Sequence, residues 1–325
     1  MKTLIKRIRN KLCGSENPPL DEAVDPKWNA VSTLWGERAV ELIHNEKPTS
    51  WTDSPLVQQM YIHPLISGRP DVAWLETIAE KYFPAPVELA LSLGCGGGGL
   101  ERHGAVLNIA RGFVAYDVSE GAIELARSLA KGYGLKQISY KAADLNTMVH
   151  SENTYDVVFA SQSLHHIESL EHYLDQVRRT LKPNGLFIIN EFVGPNQFQW
   201  TDLQVQHAQT LLESIPEQYR QIIQGHGLKT AINRPTIEFM NEIDPTEAIR
   251  SADIIAQVSD RFTIVEKTDF GGTLLQLTLG DIVGNFSDTV EDRKILQGLF
   301  DEEQRLLKSG ELESDFTLMV MRNQK

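Results

Sequence analysis

Cysteine is nearly absent from this 325-residue chain, with only Cys13 and Cys95 present. Two such distant thiols exclude a disulfide framework and fit a reducing, cytoplasmic setting. No apolar run approaches the roughly 20 residues needed to span a bilayer, so no stable membrane insertion is expected. Basic residues are in deficit, 31 Lys and Arg against 44 Asp and Glu, for a net charge of −13. That balance argues against nucleic acid as a partner, because cationic patches supply most of such affinity. The nine histidines show no metal-ligand spacing beyond the adjacent pair His165 and His166. The acidic cluster typical of a magnesium site is also missing, so no metal is expected. No internal repeat or low-complexity segment occurs. What remains is ordinary globular composition, 41% hydrophobic, enough for one large domain with additions or two small ones.

Against the acidic average, residues 1–12 hold five Lys or Arg and no acid, with Leu4, Ile5, Ile8 and Leu12 at helical spacing. An exposed terminal helix is the simpler expectation, and weak peripheral contact with a membrane surface is the alternative. No apolar core follows the charges, so the segment is not a secretory signal. Residues 14–30 read as a linker.

The densest information lies in Leu91-Ser-Leu-Gly-Cys-Gly-Gly-Gly-Gly-Leu-Glu101. An alternating apolar strand (Val87, Leu89, Leu91, Leu93) runs into five glycines within six residues, and a helix-forming segment follows. Strand, glycine turn and helix in that order present backbone N–H groups and a helix N-terminus to a nucleotide-like ligand. The turn fits two templates. Gly94, Gly96 and Gly99 satisfy the dinucleotide spacing G-x-G-x-x-G, whereas Gly94, Gly96 and Gly98 satisfy G-x-G-x-G.

Further strands follow at regular intervals. Gly112–Asp117 ends in a carboxylate 23 residues beyond Gly94, placed to accept the hydroxyls of an adenosine ribose. Ser119 caps a helix with Ala122, Leu125, Ala126 and Leu129 on one face. A third strand from Ile138 leads to Asp144-Leu145, with Asp144 a ligand contact or a loop cap. Tyr155–Ile167 is a buried strand running into a histidine-bearing tip. An amphipathic helix over about 169–181 comes next. Lys182-Pro-Asn-Gly185 stops it, and Leu186–Glu191 is a fifth strand. Arg261–Glu266 and Ser314–Met321 complete the strands, separated by an amphipathic helix over about 288–308.

Three of these stretches, LSLGCGGGGLE, YDVVFASQSLHHI and LKPNGLFIINE, together resemble class I S-adenosylmethionine (SAM)-dependent methyltransferases over roughly residues 85–195. The resemblance implies an α/β fold: a seven-stranded, doubly wound, mostly parallel sheet, its last strand antiparallel between the fifth and sixth. It implies SAM as cofactor. It also implies a cofactor site of Gly94, Cys95, Gly96, Asp117, Val118, Asp144, Leu145 and Ser161. Cys95 serves there through small size rather than as a nucleophile. The expected organisation is a helical N-terminal addition or lid over 1–83, a SAM-binding core over 84–195, a mainly helical specificity insertion over 196–258, and completion of the sheet over 259–325. The insertion gives a weaker likeness to bacterial enzymes that methylate glycans or small metabolites. Trp51, Tyr61 and His63 are candidates for the lid. Ile243-Asp-Pro-Thr-Glu247 reads as a break and the start of a further helix, capped by Asp244 or Thr246.

The chemistry so implied is methyl transfer to a small-molecule or saccharide acceptor, preferably at a hydroxyl oxygen. His165 and His166 are candidate bases, since histidine is poised near neutral pH. Glu191 is a second candidate base or an anchor for backbone. Gln197, Gln199 and Trp200 are candidate sugar contacts, as amides and an aromatic face suit polyols. Two other readings stay open at this point: an NAD(P)-dependent oxidoreductase using the longer glycine register, and a non-catalytic protein that keeps the fold.

Overall fold

The computed structural model describes residues 31–37, 39 and 47–324, so the basic segment 1–12, the linker 14–30 and Cys13 lie outside the described residues. Seven strands form one sheet: β1 (Val87–Leu93), β2 (Ala110–Asp117), β3 (Ile138–Ala142), β4 (Tyr155–Ser161), β5 (Leu181–Phe192), β6 (Thr263–Gly271) and β7 (Phe316–Arg322). Their order is β3-β2-β1-β4-β5-β7-β6. Strands β1 to β5 pair in parallel, and β7 runs antiparallel to both β5 and β6. This is the expected α/β fold, including the inserted last strand.

The pleat explains why these segments are almost uniformly apolar. Successive side chains of a strand point to opposite faces, and both faces of this sheet are covered. Along β4, Val157 and Phe159 belong to one core, while Val158 and Ala160 belong to the other. The helix Leu170–Thr180 buries Leu170, Leu174 and Val177 against the second core. The helices Gly99–Val106 and Glu120–Gly132 follow β1 and β2, the latter capped by the Ser119 hydroxyl, which accepts from Ala122 N.

The chain leaves β1 outward through β2 and β3, then returns to build β4 and β5 on the other side. The order reverses between β1 and β4, where open parallel sheets leave a crevice at the strands' carboxyl ends. Leu93, Asp117, Ser161 and Phe192 all end their strands on that edge.

Several boundaries differ from the sequence expectation for identifiable reasons. The fifth strand starts at Leu181, because Tyr155 pairs with Leu181 and the register shifts to pass the Lys182-Pro-Asn-Gly185 corner. β6 continues past Glu266 to Gly271, since Asp269 pairs with Thr317 and Gly271 with Phe316. Within the mainly helical insertion, the helix Asp202–Ser214 gives way to irregular structure with one bridge, Gln221 to Leu228. No α-helix starts at Asp244. Its side chain accepts from Thr246 N and Thr246 Oγ1, closing a turn after the helix Ile237–Ile243.

Of residues 51–67, Trp51 and Thr52 reach the wall of a cavity beside the crevice, while the rest turn away from it. Trp51, Leu56, Val57, Tyr61 and Ile62 join the core that includes Phe300, Phe316 and Leu318. Tyr61 donates to the buried Glu303, and His63 Nδ1 meets Pro70 O near the surface, so neither serves as a lid. The crevice is covered instead by the helical residues 31–37 and 39. Ser32 Oγ donates to Val118 O at 3.2 Å, and Ser119 Oγ donates back to Ser32 O at 2.7 Å.

Candidate active site

The glycine turn resolves its own ambiguity. Gly94, Gly96 and Gly98 have φ of 76°, 50° and 75°, whereas Gly97 and Gly99 are not among the left-handed residues. The backbone therefore needs glycine at the G-x-G-x-G positions. Packing adds to this at two of them. A Cβ on Gly94 would sit 2.2 Å from Ser163 Cβ, and one on Gly98 would sit 2.5 Å from Tyr140 Oη. A Cβ on Gly96 would meet nothing within 4 Å, since that face opens to the crevice.

Asp117 braces the turn from the end of β2. Its Oδ2 accepts from Gly96 N at 2.7 Å and its Oδ1 from Ser119 N at 2.9 Å. Burial pushes its carboxyl above the usual range, and these backbone donors act against that shift. Burial likewise pushes the Cys95 thiol well up, which leaves it unsuited to nucleophilic chemistry.

A cavity of about 230 Å³ opens here, and Gly94, Cys95, Gly96, Asp117, Val118, Asp144, Leu145 and Ser161 all line it. Asp144 also caps its own turn, accepting from Asn146 N at 2.9 Å, while Asn146 Oδ1 accepts from Ser169 N at 2.9 Å. Sequence reasoning missed Trp35 and Gln162 on this wall and read Thr246 only as a cap, while the candidate base His166 does line it.

Beside it lies a larger cavity of about 580 Å³, and Gln162 lines both. Gln162 has a φ of 51°, held by its N–H donating to Asn190 O at 2.9 Å. Trp51, Phe192, Phe198, Trp200 and Phe316 supply much of the wall, with Phe239 and Ile243 at its exposed rim. Phe198 and Trp200 stack at 5.0 Å, and Trp200 Nε1 donates to Asp315 at 3.0 Å. Of the three expected sugar contacts only Trp200 reaches the cavity wall. Gln197 Nε2 donates to Asn241 Oδ1, and Gln199 Nε2 donates to Gln197 O and Pro235 O, so those amides are engaged within the chain.

The histidines divide between the cavities, His165 on the larger and His166 on the smaller. Glu191 reaches neither. It is fully buried, its Oε1 accepting from Ser163 N and Leu164 N at 2.5 Å each and its Oε2 from Phe192 N at 3.0 Å. The remaining acceptor position holds His165 Nδ1 at 2.6 Å. Glu191 is thus a positioning residue that fixes the β4 tip and the imidazole, not a group in reach of an acceptor.

The other nitrogen of His165 lies 3.5 Å from Glu247 Oε1. Burial would lower the His165 pKa, but the Glu191, Glu247 and Asp244 carboxylates outweigh it and the net direction is upward. His166 Nδ1 meets Thr246 Oγ1 at 3.1 Å, and its Nε2 stands 4.0 Å from Glu247 Oε2. Trp35 packs edge-on against His166 at 4.8 Å and its Nε1 donates to Asp244 at 3.1 Å. Among the described residues His165, His166 and Glu247 form the one trio with metal-ligand proximity, their atoms within 4.8 Å of one another. Glu247 was not a sequence candidate. It sits about 80 residues from the histidines it meets, and no local pattern announces it.

Comparison with known proteins agrees with this architecture. Residues 91–189 match the methyltransferase domain family. The sheet has the class I methyltransferase fold. The chain's cofactor is S-adenosylmethionine. The human mitochondrial arginine-hydroxylase NDUFAF5 is 32% identical over 124 residues, covering 38% of this chain and 34% of that protein. Sterol 4-C-methyltransferase strm-1 of Caenorhabditis elegans is 24% identical over 168 residues, covering 51% of this chain and 45% of the relative. The match therefore spans less than half the length of each of these relatives. Geranyl diphosphate methyltransferase, solved with GPP and sinefungin, has the same fold with a TM-score of 0.54 at 11% identity, covering 92% of this chain and all of that one. No helix among the described residues is long and apolar enough to cross a membrane.

Proposed function

We propose that this domain transfers a methyl group to a hydroxyl oxygen of a small molecule held in the larger cavity. One observation carries the reading: the cofactor cavity and a roomy aromatic cavity adjoin at Gln162, with a carboxylate-backed histidine on the acceptor side. Bound there, SAM supplies a methyl group on a sulfonium, with an excellent leaving group built in. In this reading Asp117 takes the ribose hydroxyls, Asp144 and Leu145 meet the adenine, and the backbone at Gly94–Gly96 lets the amino-acid half approach.

The chain's own contribution is positional and protolytic. Aromatic walls orient the acceptor at low entropic cost, which is the larger part of what such a transfer needs. His165 Nε2 takes the hydroxyl proton as the oxygen forms its new bond to carbon. Glu191 holds Nδ1–H, so the free electron pair of the neutral ring stays on Nε2. His166 orients the cofactor side through Thr246 and Trp35.

The walls favour an apolar small molecule over a saccharide, because the amides of Gln197 and Gln199 are bonded elsewhere. A diphosphate, which the structurally similar enzyme binds as GPP, finds no Lys or Arg among the described residues lining this cavity.

Incubating the protein with a cell extract and deuteromethyl-SAM, followed by mass spectrometry, tests the reading. A labelled O-methyl product is expected. Label on nitrogen or carbon would overturn the oxygen assignment, and cofactor binding without label in any metabolite would favour a non-catalytic protein. Asp117→Ala is expected to weaken S-adenosylhomocysteine binding at least tenfold by calorimetry.

A further inference from the structure

Two buried atoms of residues on the wall of the larger cavity stand outside the protein's own hydrogen bonding. Among the described residues, neither Trp51 Nε1 nor Gln276 Oε1 has a hydrogen-bond partner. Buried polar atoms in native proteins are almost always paired, so a donor and an acceptor left over on one wall point to a ligand. Three neighbouring side chains on that wall are engaged. Trp200 Nε1 donates to Asp315 Oδ2 at 3.0 Å, Gln162 Nε2 donates to Asn190 O at 3.1 Å, and Thr52 Oγ1 meets Ser50 Oγ at 2.9 Å.

The chain brings these two side chains to one corner. The indole of Trp51 lies over Gly272, where a Cβ would come within 2.6 Å of Cζ2 and a φ of 82° also favours glycine. Gln276 follows one helical turn later, its N–H donating to Gly272 O at 3.2 Å. Asp281 N donates to Thr49 O at 2.8 Å, which ties the end of the helix Leu275–Leu279 to the segment before Trp51. From this corner a series of rings leads back to the candidate base. Trp51 meets Phe316 at 5.3 Å, Phe316 meets Phe192 at 5.3 Å, and Phe192 meets His165 at 6.2 Å.

We infer that Trp51 and Gln276 form a specificity anchor for a second hydroxyl of the acceptor, held across an apolar body from the hydroxyl that faces His165. A hydroxyl both accepts and donates, so one oxygen can take the indole N–H and give its own proton to Gln276 Oε1. A carboxylate or an ether would leave Gln276 Oε1 without a donor, and an ammonium would leave the indole N–H without an acceptor. The acceptor class is therefore a rigid aromatic or alicyclic diol, one hydroxyl methylated and the other read. This rests on the proposed methyl-transfer reading in taking the larger cavity as the acceptor's place and His165 as the base.

The probes are para,para′-biphenol and para-phenylphenol, which share a rigid two-ring body and differ by one terminal hydroxyl. Each is titrated calorimetrically into protein already saturated with S-adenosylhomocysteine. The biphenol is expected to bind at least about tenfold tighter, because a site built to bond a hydroxyl rejects the analogue lacking it. Gln276→Met and Trp51→Phe are each expected to bring the two probes within about threefold. The free Gln276→Met protein is expected to match or exceed the native urea midpoint, since the change removes an acceptor that has no donor and nearly conserves volume. Equal binding of the two probes, no binding by either, or a preference kept in either variant overturns the inference. So does a lower midpoint for Gln276→Met, which would show that the amide is satisfied inside the fold. Failure of S-adenosylhomocysteine to bind at the outset would instead defeat the methyl-transfer reading.

Discussion

Glu101, the first acid after the glycine turn, is fully buried, and neither carboxylate oxygen makes a well-formed hydrogen bond. Burial pushes its pKa up to about 7, against the pull of the nearby Ser92 hydroxyl and Arg102. The folded chain thus keeps this proton between pH 4.5 and about 7, where the unfolded chain releases it. Stability must fall as pH climbs through that window, by up to roughly 3 kcal/mol for this one group. Glu101→Gln removes the dependence. In chemical denaturation the variant is expected to gain on the native chain from pH 5 to pH 8, and a constant offset would contradict the assignment. His165 has the opposite chemistry and the same direction of shift. Its pKa lies above the ordinary 6.5, so activity through it as a base rises with pH along a limb above that value. Glu247→Gln deletes one of the charges that raise it. The acidic limb of the kcat profile is expected to move to lower pH, and an unmoved limb would mean that another group carries the proton.

At the scale of elements, the tip of β4 is held by one side chain. Glu191 accepts from three backbone N–H groups and from His165. Glu191→Ala would orphan all four donors, and breaking a buried charged hub of this kind costs on the order of 3–5 kcal/mol. Urea unfolding is expected to report that loss, with weaker S-adenosylhomocysteine binding because Ser163 also lines the cofactor cavity. His165→Asn, which leaves Glu191 its backbone donors, is expected to keep most of the stability. A Glu191→Ala variant as stable as His165→Asn would refute the hub. These local elements were the most legible part of the chain. Alternation in β4, helical spacing in 170–180 and the Ser119 cap all act over a few residues, where periodicity speaks directly. The glycine register did not, because five adjacent glycines satisfy two templates. Only the positive φ at Gly98, beside Tyr140, separates them.

Over the whole molecule, the parts that sequence could not disclose are those joined across long separations. Gly94 and Asp117 occupy neighbouring strand ends, so their association follows from the sheet order alone. Glu247, Thr246 and Asp244 arrive from an irregular turn, and Trp35 reaches Asp244 across 209 residues. Nothing in the local pattern of either segment marks that contact, so Trp35 was missed while Trp51, which does line the larger cavity, was named beside Tyr61 and His63, which do not. The helical residues 31–37 and 39 touch the site in three ways: Val31 and Trp35 line the cofactor cavity, Ser32 bonds to Val118 and Ser119, and Trp35 bonds to Asp244. They therefore link the cofactor wall to the acceptor wall while adding little to the sheet's own cores. Trp35→Ala should affect ligand more than fold. Loss of a half-buried indole at the cavity is worth about 1–2 kcal/mol, or roughly tenfold in S-adenosylhomocysteine affinity. The apo protein's urea midpoint is expected to change little, because Trp35 lies outside the cores around β1, β4 and β5. If affinity were unchanged while stability fell, residues 31–37 would be a packing element, and the cofactor cavity would have to be closed by other residues.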